Sequence, residues 1–268
     1  MRGQDETREG RDCQVLAYGV VRAPFEAIAG LRKTPGPPGS PKVAPPLLKH
    51  ADEQTVLGLA ATLRALVHFQ LAGRSFEDWA VVAAPRYVGR MQTIFHIDRF
   101  RRQGASTVSP LIIPHLSLHS TSGTISLALR SRGPNFGVGG AHGHLGEGLL
   151  AALSAGDEAP EGTWFVATAW DPEPVPDMER QCANAVTGHA LALALTTKAI
   201  EGVEPIGSVR FVPAAAEVPS ALELPELLTM MEESNTPGRP RRWFCPLPGG
   251  AIELTLAADA PQTQAIAV

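Results

Sequence analysis

Residues Ser109 to Asp157 read SPLIIPHLSLHSTSGTISLALRSRGPNFGVGGAHGHLGEGLLAALSAGD, and TWFVATAWD follows at Thr163 to Asp171. Ser117 to about Leu129 is a helix candidate, weakened by Gly123, since a glycine inside a helix often marks close packing. Arg132 to Gly140, RGPNFGVGG, cannot be regular helix, because Pro134 removes a backbone donor and three glycines follow it. Helix resumes from about Gly143 to Ala155. TWFVATAW, Thr163 to Trp170, is a short apolar run of the kind that is buried on both faces of a sheet. It leaves through the proline-rich DPEPVPD.

Upstream, CQVLAYGVV (Cys13 to Val21) reads as a buried strand. LRKTPGPPGSPKVAPP (Leu31 to Pro46) must be a loop, because its prolines and glycines block both helix and ladder. Asp52 is placed to cap a helix from about Glu53 to Leu71, in which Val56, Leu59, Ala60, Leu63, Leu66, Val67 and Leu71 recur at helical spacing. Gly73 stands where a left-handed cap residue is expected. WAVVAAP (Trp79 to Pro85) is a second buried strand, and strand–helix–strand in this order predicts a right-handed crossover in a parallel sheet. Residues 86 to 103 read as a helix whose Arg90, Arg99, Arg101 and Arg102 form a solvated face, with an anion site as the sharper alternative. Downstream, HALALALT (His189 to Thr196), SVRFVPA (Ser208 to Ala214) and GAIELTLAA (Gly250 to Ala258) read as strands. The first is ambiguous, because Ala and Leu favour helix. PGRPRRW, beside Trp243, reads as a solvated loop or as a contact for an acidic protein. The two ends, residues 1–12 and DAPQTQAIAV, read as loose tails.

Composition bounds the function. The 268 residues are 44% apolar and 19% charged with a formal net charge of -4, which fits a folded chain and lacks the basic excess of a nucleic-acid binder. Three cysteines, Cys13, Cys182 and Cys245, are too scattered for a disulfide framework or a zinc cluster, and an odd number fits a reducing compartment. The opening MRGQDETREGRD is not a secretory signal, and no apolar run is long enough to span a bilayer. The expectation is a cytoplasmic protein, bound neither to nucleic acid nor to membrane.

The Ser109–Asp171 segment resembles the N-terminal half of the β-ketoacyl synthases, which have the thiolase fold. The features run in order: a helix begun at Gly123, Arg132-Gly133-Pro134, a short strand at Phe136 to Gly140, a tight turn, a buried helix, and the strand ending in Ala169. Ser109-Pro110, the His119 region and the exit at Ala169 to Pro176 bring it nearest to the short synthase-like proteins of aryl-polyene and fatty-acid-type pathways. The resemblance covers roughly residues 13–215, leaving 1–12 as a disordered tail and 216–268 as a short C-terminal extension with one strand. It implies an α/β, thiolase-like layered domain with a mainly parallel central sheet and a buried helix, corresponding to the N-terminal half of a ketosynthase only.

A condensing synthase needs a cysteine at the strand-to-helix turn, where the helix N-terminus stabilises the thiolate. It also needs two histidines that the family carries in its second half. Counted from Gly133-Pro134-Asn135, the nucleophile position here is His142, flanked by Gly140, Ala141 and Gly143 as the substrate-binding turn. No small register shift brings a cysteine there. His189 is the last histidine, and the family's second half is largely missing. The resemblance therefore implies acyltransferase ancestry with an acyl-thioester step this chain cannot perform alone. His142 reads as a plug in a vacated pocket. His119 and Glu147 are the other candidates for chemistry, and Glu147 is expected to be buried and paired with a histidine or at an interface.

No metal site is expected: His142 and His144 diverge by about 200° on a helix, and there is neither an HExxH motif nor a cysteine pair. RGPNFGVGG lacks the Lys-Ser/Thr of a phosphate loop, and HSTSGT lacks the first glycine of a hydrolase elbow. No cofactor is expected. A lone half-fold would expose apolar surface, which predicts a partner. The resemblance supplies its identity: an active ketosynthase as heterodimer partner, or a second copy, together with acyl carrier protein. The function it implies is an inactive, chain-length-factor-like subunit that shapes the acyl pocket of its partner. The alternatives are a thiolase-fold enzyme acting on acyl thioesters through His142, and a free-standing binder of acyl chains or acyl carrier protein.

Overall fold

In the computed structural model, residues 12–110, 112–156, 161–177, 182–213, 222–233, 239–258 and 260–261 are described. The strands are β1 (Cys13–Pro24), β2 (Trp79–Pro85), β3 (Asn135–Gly137), β4 (Gly162–Asp171), β5 (Thr187–Thr196), β6 (Gly207–Pro213), β7 (Arg241–Leu247) and β8 (Gly250–Leu256). The helices are α1 (Ile28–Lys33), α2 (Pro45–Leu48), α3 (Glu53–His68), α4 (Arg90–Gln103), α5 (Ile112–Leu116), α6 (His119–Leu129), α7 (His144–Ala155) and α8 (Leu224–Glu233). The strands form one sheet in the order β3-β2-β4-β5-β1-β6-β8-β7.

The alternation in β5 shows how the layers are built. Its leucines, Leu191, Leu193 and Leu195, belong to the core shared with α7 and α8. Its alanines, Ala190, Ala192 and Ala194, belong to the core on the opposite face, shared with α3 and α6. Small side chains face α3 because that helix lies very close to the sheet. A methyl group at Gly19 of β1 would stand 2.1 Å from the carbonyl oxygen of Ala61, and one at Gly188 of β5 would stand 2.3 Å from Leu57. Helix α3 is buried almost all round, as a helix enclosed between a sheet and other helices must be. The ambiguity of HALALALT is thus resolved in favour of strand: the whole run is buried, and successive side chains enter opposite cores with period 2.

The layered α/β architecture is the expected one, and the direction of its strands is more mixed than expected. Pairings β2–β3 and β2–β4 are parallel. The β4–β5, β5–β1, β1–β6, β6–β8 and β8–β7 pairings are antiparallel. Parallel character is therefore confined to the end of the sheet that carries the His142 turn. The β1–α3–β2 crossover does join two strands of like direction, with β5 and β4 lying between them.

Asp52 caps α3 as expected, its Oδ1 accepting the Gln54 N–H at 2.7 Å. The other end differs: the left-handed residue is Gln70 (φ 56°), not Gly73. Leu71 N–H returns to the Leu66 carbonyl at 2.7 Å and buries its side chain, so the turn closes before the glycine is reached.

The C-terminal part departs furthest from the sequence reading. It holds α8 and two strands, β7 and β8, rather than a single strand. PGRPRRW is not a solvated loop throughout. Its Arg241, Arg242 and Trp243 open β7, with Arg241 and Trp243 turned inward and Arg242 outward. Residues 1–11 and 262–268, most of the expected tails, lie outside the described residues.

Candidate functional site

The parallel strands β2 and β4 end beside the turn that precedes α7, and Arg86, the first residue past β2, is buried there. Its N–H donates to the Thr168 carbonyl at 2.8 Å, which fixes the backbone. Its carbonyl accepts from Gln54 Nε2 at 2.7 Å, and Gln54 Oε1 accepts from Thr168 Oγ1 at 2.8 Å, so the first turn of α3 locks the same residue from below. The guanidinium is then spent on three acceptors. Nε donates to Glu173 Oε1 at 2.9 Å, Nη1 to Glu223 Oε2 at 2.9 Å, and Nη2 to the Trp170 carbonyl.

Glu223, one residue ahead of α8, joins this cluster to the turn. Its Oε1 accepts the Gly143 N–H at 3.2 Å and lies 3.3 Å from His142 Nδ1. Gly143 is the N-cap of α7, in the left-handed region at φ 81°. Glu223 thus occupies the anion position at a helix N-terminus, where free N–H groups and the helix dipole favour negative charge. Burial opposes its charge, yet the Gly143 N–H, the Arg86 guanidinium and His144 hold its carboxyl below the ordinary range. Glu173 differs: burial outweighs the same guanidinium and pushes its carboxyl up.

His144, the first residue of α7, is wholly buried. Among the described residues neither ring nitrogen has a hydrogen-bond partner, and Nδ1 stands 3.6 Å from Glu223 Oε2. Burial lowers its pKa to about 4 against the pull of Glu223, with Arg86 acting in the same direction as burial, so the ring is neutral at pH 7.

The expected site residues separate. His142, Gly140, Ala141 and Gly143 do form the turn between β3 and α7. Gly140 (φ 101°) bridges to Arg86, its carbonyl accepting the Tyr87 N–H at 3.0 Å, and the Ala141 carbonyl accepts the His144 N–H. The His142 side chain is 72% exposed, with Tyr87 edge-on at 5.9 Å. It is not a plug: the buried imidazole is the one two residues on. Glu147 is exposed, not buried, because α7 turns His144, Leu145, Gly148 and Leu149 inward and position 147 outward. His119 is exposed at the start of α6. Its ring lies over Gly123, so that glycine makes room for a side chain of its own helix rather than for a second helix. Arg86, Glu173 and Glu223 escaped the sequence reading. Arg86 carried a signal, as a charge directly after an all-apolar strand; Glu223 carried none.

Among the described residues no group of three or more His, Cys, Asp or Glu is placed to hold a metal ion, and no helix is long and apolar enough to cross a membrane. No thiol stands at the turn. Cys13 and Cys245 are buried in β1 and β7, Cys245 with its thiol pushed up to about 12 by burial, and Cys182 is bonded to Asn184.

No family model matches the chain, and no curated protein matches it. Solved structures do. One is the ishigamide ketosynthase/chain length factor, with a TM-score of 0.51 and 18% identity, covering 75% of this chain and 67% of that one. Another is a ketosynthase (ApeO) in complex with its chain length factor (ApeC) from Xenorhabdus doucetiae, with a TM-score of 0.54 and 14% identity, covering 91% of this chain and 98% of that one. The fold is that of the thiolase-like ketosynthases. In this ketosynthase-like fold the β3–α7 turn is where His142 stands, and the Arg86–Glu223 cluster lies directly behind it.

Proposed function

We propose that the chain is a catalytically inactive ketosynthase-like subunit, in the manner of a chain length factor, which shapes the acyl pocket of an active synthase partner. The observation that carries this reading is the occupant of the turn. An exposed imidazole replaces the thiol, and the helix N-terminus that would stabilise a thiolate is already engaged by the Glu223 carboxylate. The likeness to solved ketosynthase and chain length factor assemblies supports the same role. Strand β3 supports it too, since among the described residues it pairs with β2 on one side and with no strand on the other, which leaves a ladder edge for another chain. The mechanism is steric: side chains at the subunit boundary limit how far a growing chain can extend, and acyl carrier protein delivers that chain to the partner. Two experiments test it. An active ketosynthase is expected to co-purify with the chain at native expression. Labelled acyl carrier protein is expected to leave no acyl group on His142 by mass spectrometry. A lone chain in the pull-down, or a stable adduct at His142, contradicts the proposal.

A second reading rests on the 3.3 Å pair between Glu223 Oε1 and His142 Nδ1. A carboxylate that holds one imidazole nitrogen orients the ring for proton transfer at the other. On this reading the isolated chain hydrolyses acyl thioesters and loses the activity with His142→Ala. Turnover by the isolated chain separates the two readings.

A further inference from the structure

Three buried polar atoms without a hydrogen-bond partner belong to residues around one guanidinium: both ring nitrogens of His144, and Oε2 of Glu173. Buried polar groups are normally satisfied, so orphans gathered in one place call for an explanation. The guanidinium is that of Arg86, itself buried. Glu173 takes its Nε and the Trp170 carbonyl takes its Nη2, which leaves Nη1 directed at Glu223.

Glu223 fills this place loosely. Its Oε2 lies 2.9 Å from Arg86 Nη1, a full charge-assisted bond. The same oxygen lies 3.6 Å from His144 Nδ1, beyond hydrogen-bond reach, and Oε1 lies a long 3.2 Å from the Gly143 nitrogen. Three donor positions thus converge, and the resident carboxylate meets only one of them at short distance. Its tether explains the misfit. Glu223 directly precedes α8, whose Leu224, Leu227 and Leu228 are buried in the core, so the backbone limits how deep the carboxylate can reach. The place is also open to solvent: the Glu223 side chain keeps 15% of its exposure, beside the exposed His142.

We infer that Arg86 Nη1, the Gly143 N–H and His144 form a receptor for a small free carboxylate, and that Glu223 is its tethered competitor. The resident side chain already shows that a planar carboxylate suits the site, one oxygen toward Arg86 and the other toward the N-terminus of α7. An untethered carboxylate can move closer and take the buried His144 N–H as well. In the free chain Glu223 holds the site closed, because a tethered group competes at a high effective concentration. A carboxylate that displaces it also frees the start of α8 from the β3–α7 turn. This inference rests on the geometry of the cluster and holds with or without a synthase partner.

The test is the melting temperature of the isolated full chain at pH 7, titrated with sodium acetate against sodium chloride at matched ionic strength. A ligand that binds only the folded chain raises the melting temperature. In Glu223→Ala, acetate is expected to raise it saturably, with half-saturation at an acetate concentration at least 10-fold lower than in the parent. Adding His144→Leu to that variant is expected to weaken acetate at least 5-fold, and inorganic phosphate is expected to bind at least 5-fold more weakly than acetate. Glu223→Gln, which keeps the side-chain volume and removes the charge, carries the same test if the alanine variant does not fold, and it too is expected to gain a response to acetate. An equal response to acetate in parent and variants, a response that survives His144→Leu unchanged, or no saturable response in either Glu223 variant overturns the inference. Tighter binding of phosphate than of acetate overturns the assignment to carboxylates.

Discussion

Arg86 and Glu223 are 137 positions apart in sequence and meet at 2.9 Å. The contact fastens α8 to the end of β2, and through Gly143 and His142 it fastens the β3–α7 turn as well. Removing one partner of a largely buried pair leaves the other charge without compensation. Glu223→Ala is therefore expected to cost about 2–4 kcal/mol in urea unfolding, somewhat below the fully buried limit because Glu223 keeps some solvent contact. Glu173→Gln is expected to cost clearly less, since burial already raises that carboxyl and the charge it gives up was held at a cost. Equal losses for the two variants would mean that Arg86 does not favour Glu223.

Acid should destabilise the fold well above the carboxylate range. The His144 ring has its pKa lowered from 6.5 to about 4 by burial, and His189 likewise falls to about 4, by burial and then by Arg22. A group whose pKa is depressed on folding takes up protons first in the unfolded chain, so stability is full above about pH 6.5 and is lost as the pH falls toward 4. Glu223, held low in the fold, extends the loss below that window. Urea midpoints are expected to decline from pH 7 to pH 4.5, and His144→Leu should flatten the decline. An unchanged slope in that variant would place the acid sensitivity elsewhere.

The sequence made some of this architecture plain and hid the rest for physical reasons. Strands β2 and β4 are buried on both faces, so their apolar runs could be read directly, and α3 announced itself through Asp52 and its helical spacing. Strand β7 was hidden because its inward residues begin with Arg241 while Phe244 points out, which reverses the usual alternation. Helix α8 lay in the same overlooked segment, although Pro225 suits the first turn of a helix. At the site, the glycines of GGAHG marked the turn, since a left-handed backbone needs them. Glu223 could not be found that way. It is one of 27 acidic residues, and its partners come from β2 and from the α7 turn, so only the folded chain identifies it.

Asp52 offers a contrast between a good cap and a costly charge. Its carboxylate receives the Gln54 N–H and the Thr55 hydroxyl, yet burial, and next to it Glu53, raise its pKa from 3.8 to about 7. A carboxyl raised on folding contributes stability below about pH 4 and loses it as the pH climbs through about 7. Asparagine caps helices equally well and carries no charge to bury. Asp52→Asn is expected to raise the melting temperature at pH 8 by several degrees and to change it little at pH 4. A similar gap at both pH values would show that the cap, not the charge, governs this position.

The closeness of α3 to the sheet can be tested with one methyl group. A Cβ at Gly19 would lie 2.1 Å from the Ala61 carbonyl oxygen and 2.8 Å from the Ala65 nitrogen, both backbone atoms that cannot swing aside. Gly19→Ala must therefore push α3 off β1, and overpacking of this kind costs about 3 kcal/mol or more. Gly30 is the matched control: it sits in α1, where an added methyl would meet nothing within 4 Å, and its backbone is helical. Gly30→Ala is expected to stabilise by about 0.5–1 kcal/mol, through the lower entropy of the unfolded chain and the better helix propensity of alanine. Urea unfolding of the two variants should move in opposite directions. A Gly19→Ala protein as stable as the parent would mean that α3 does not rest on the β1 backbone at van der Waals distance. The alanine face of β5, which this closeness explains, would then need another cause.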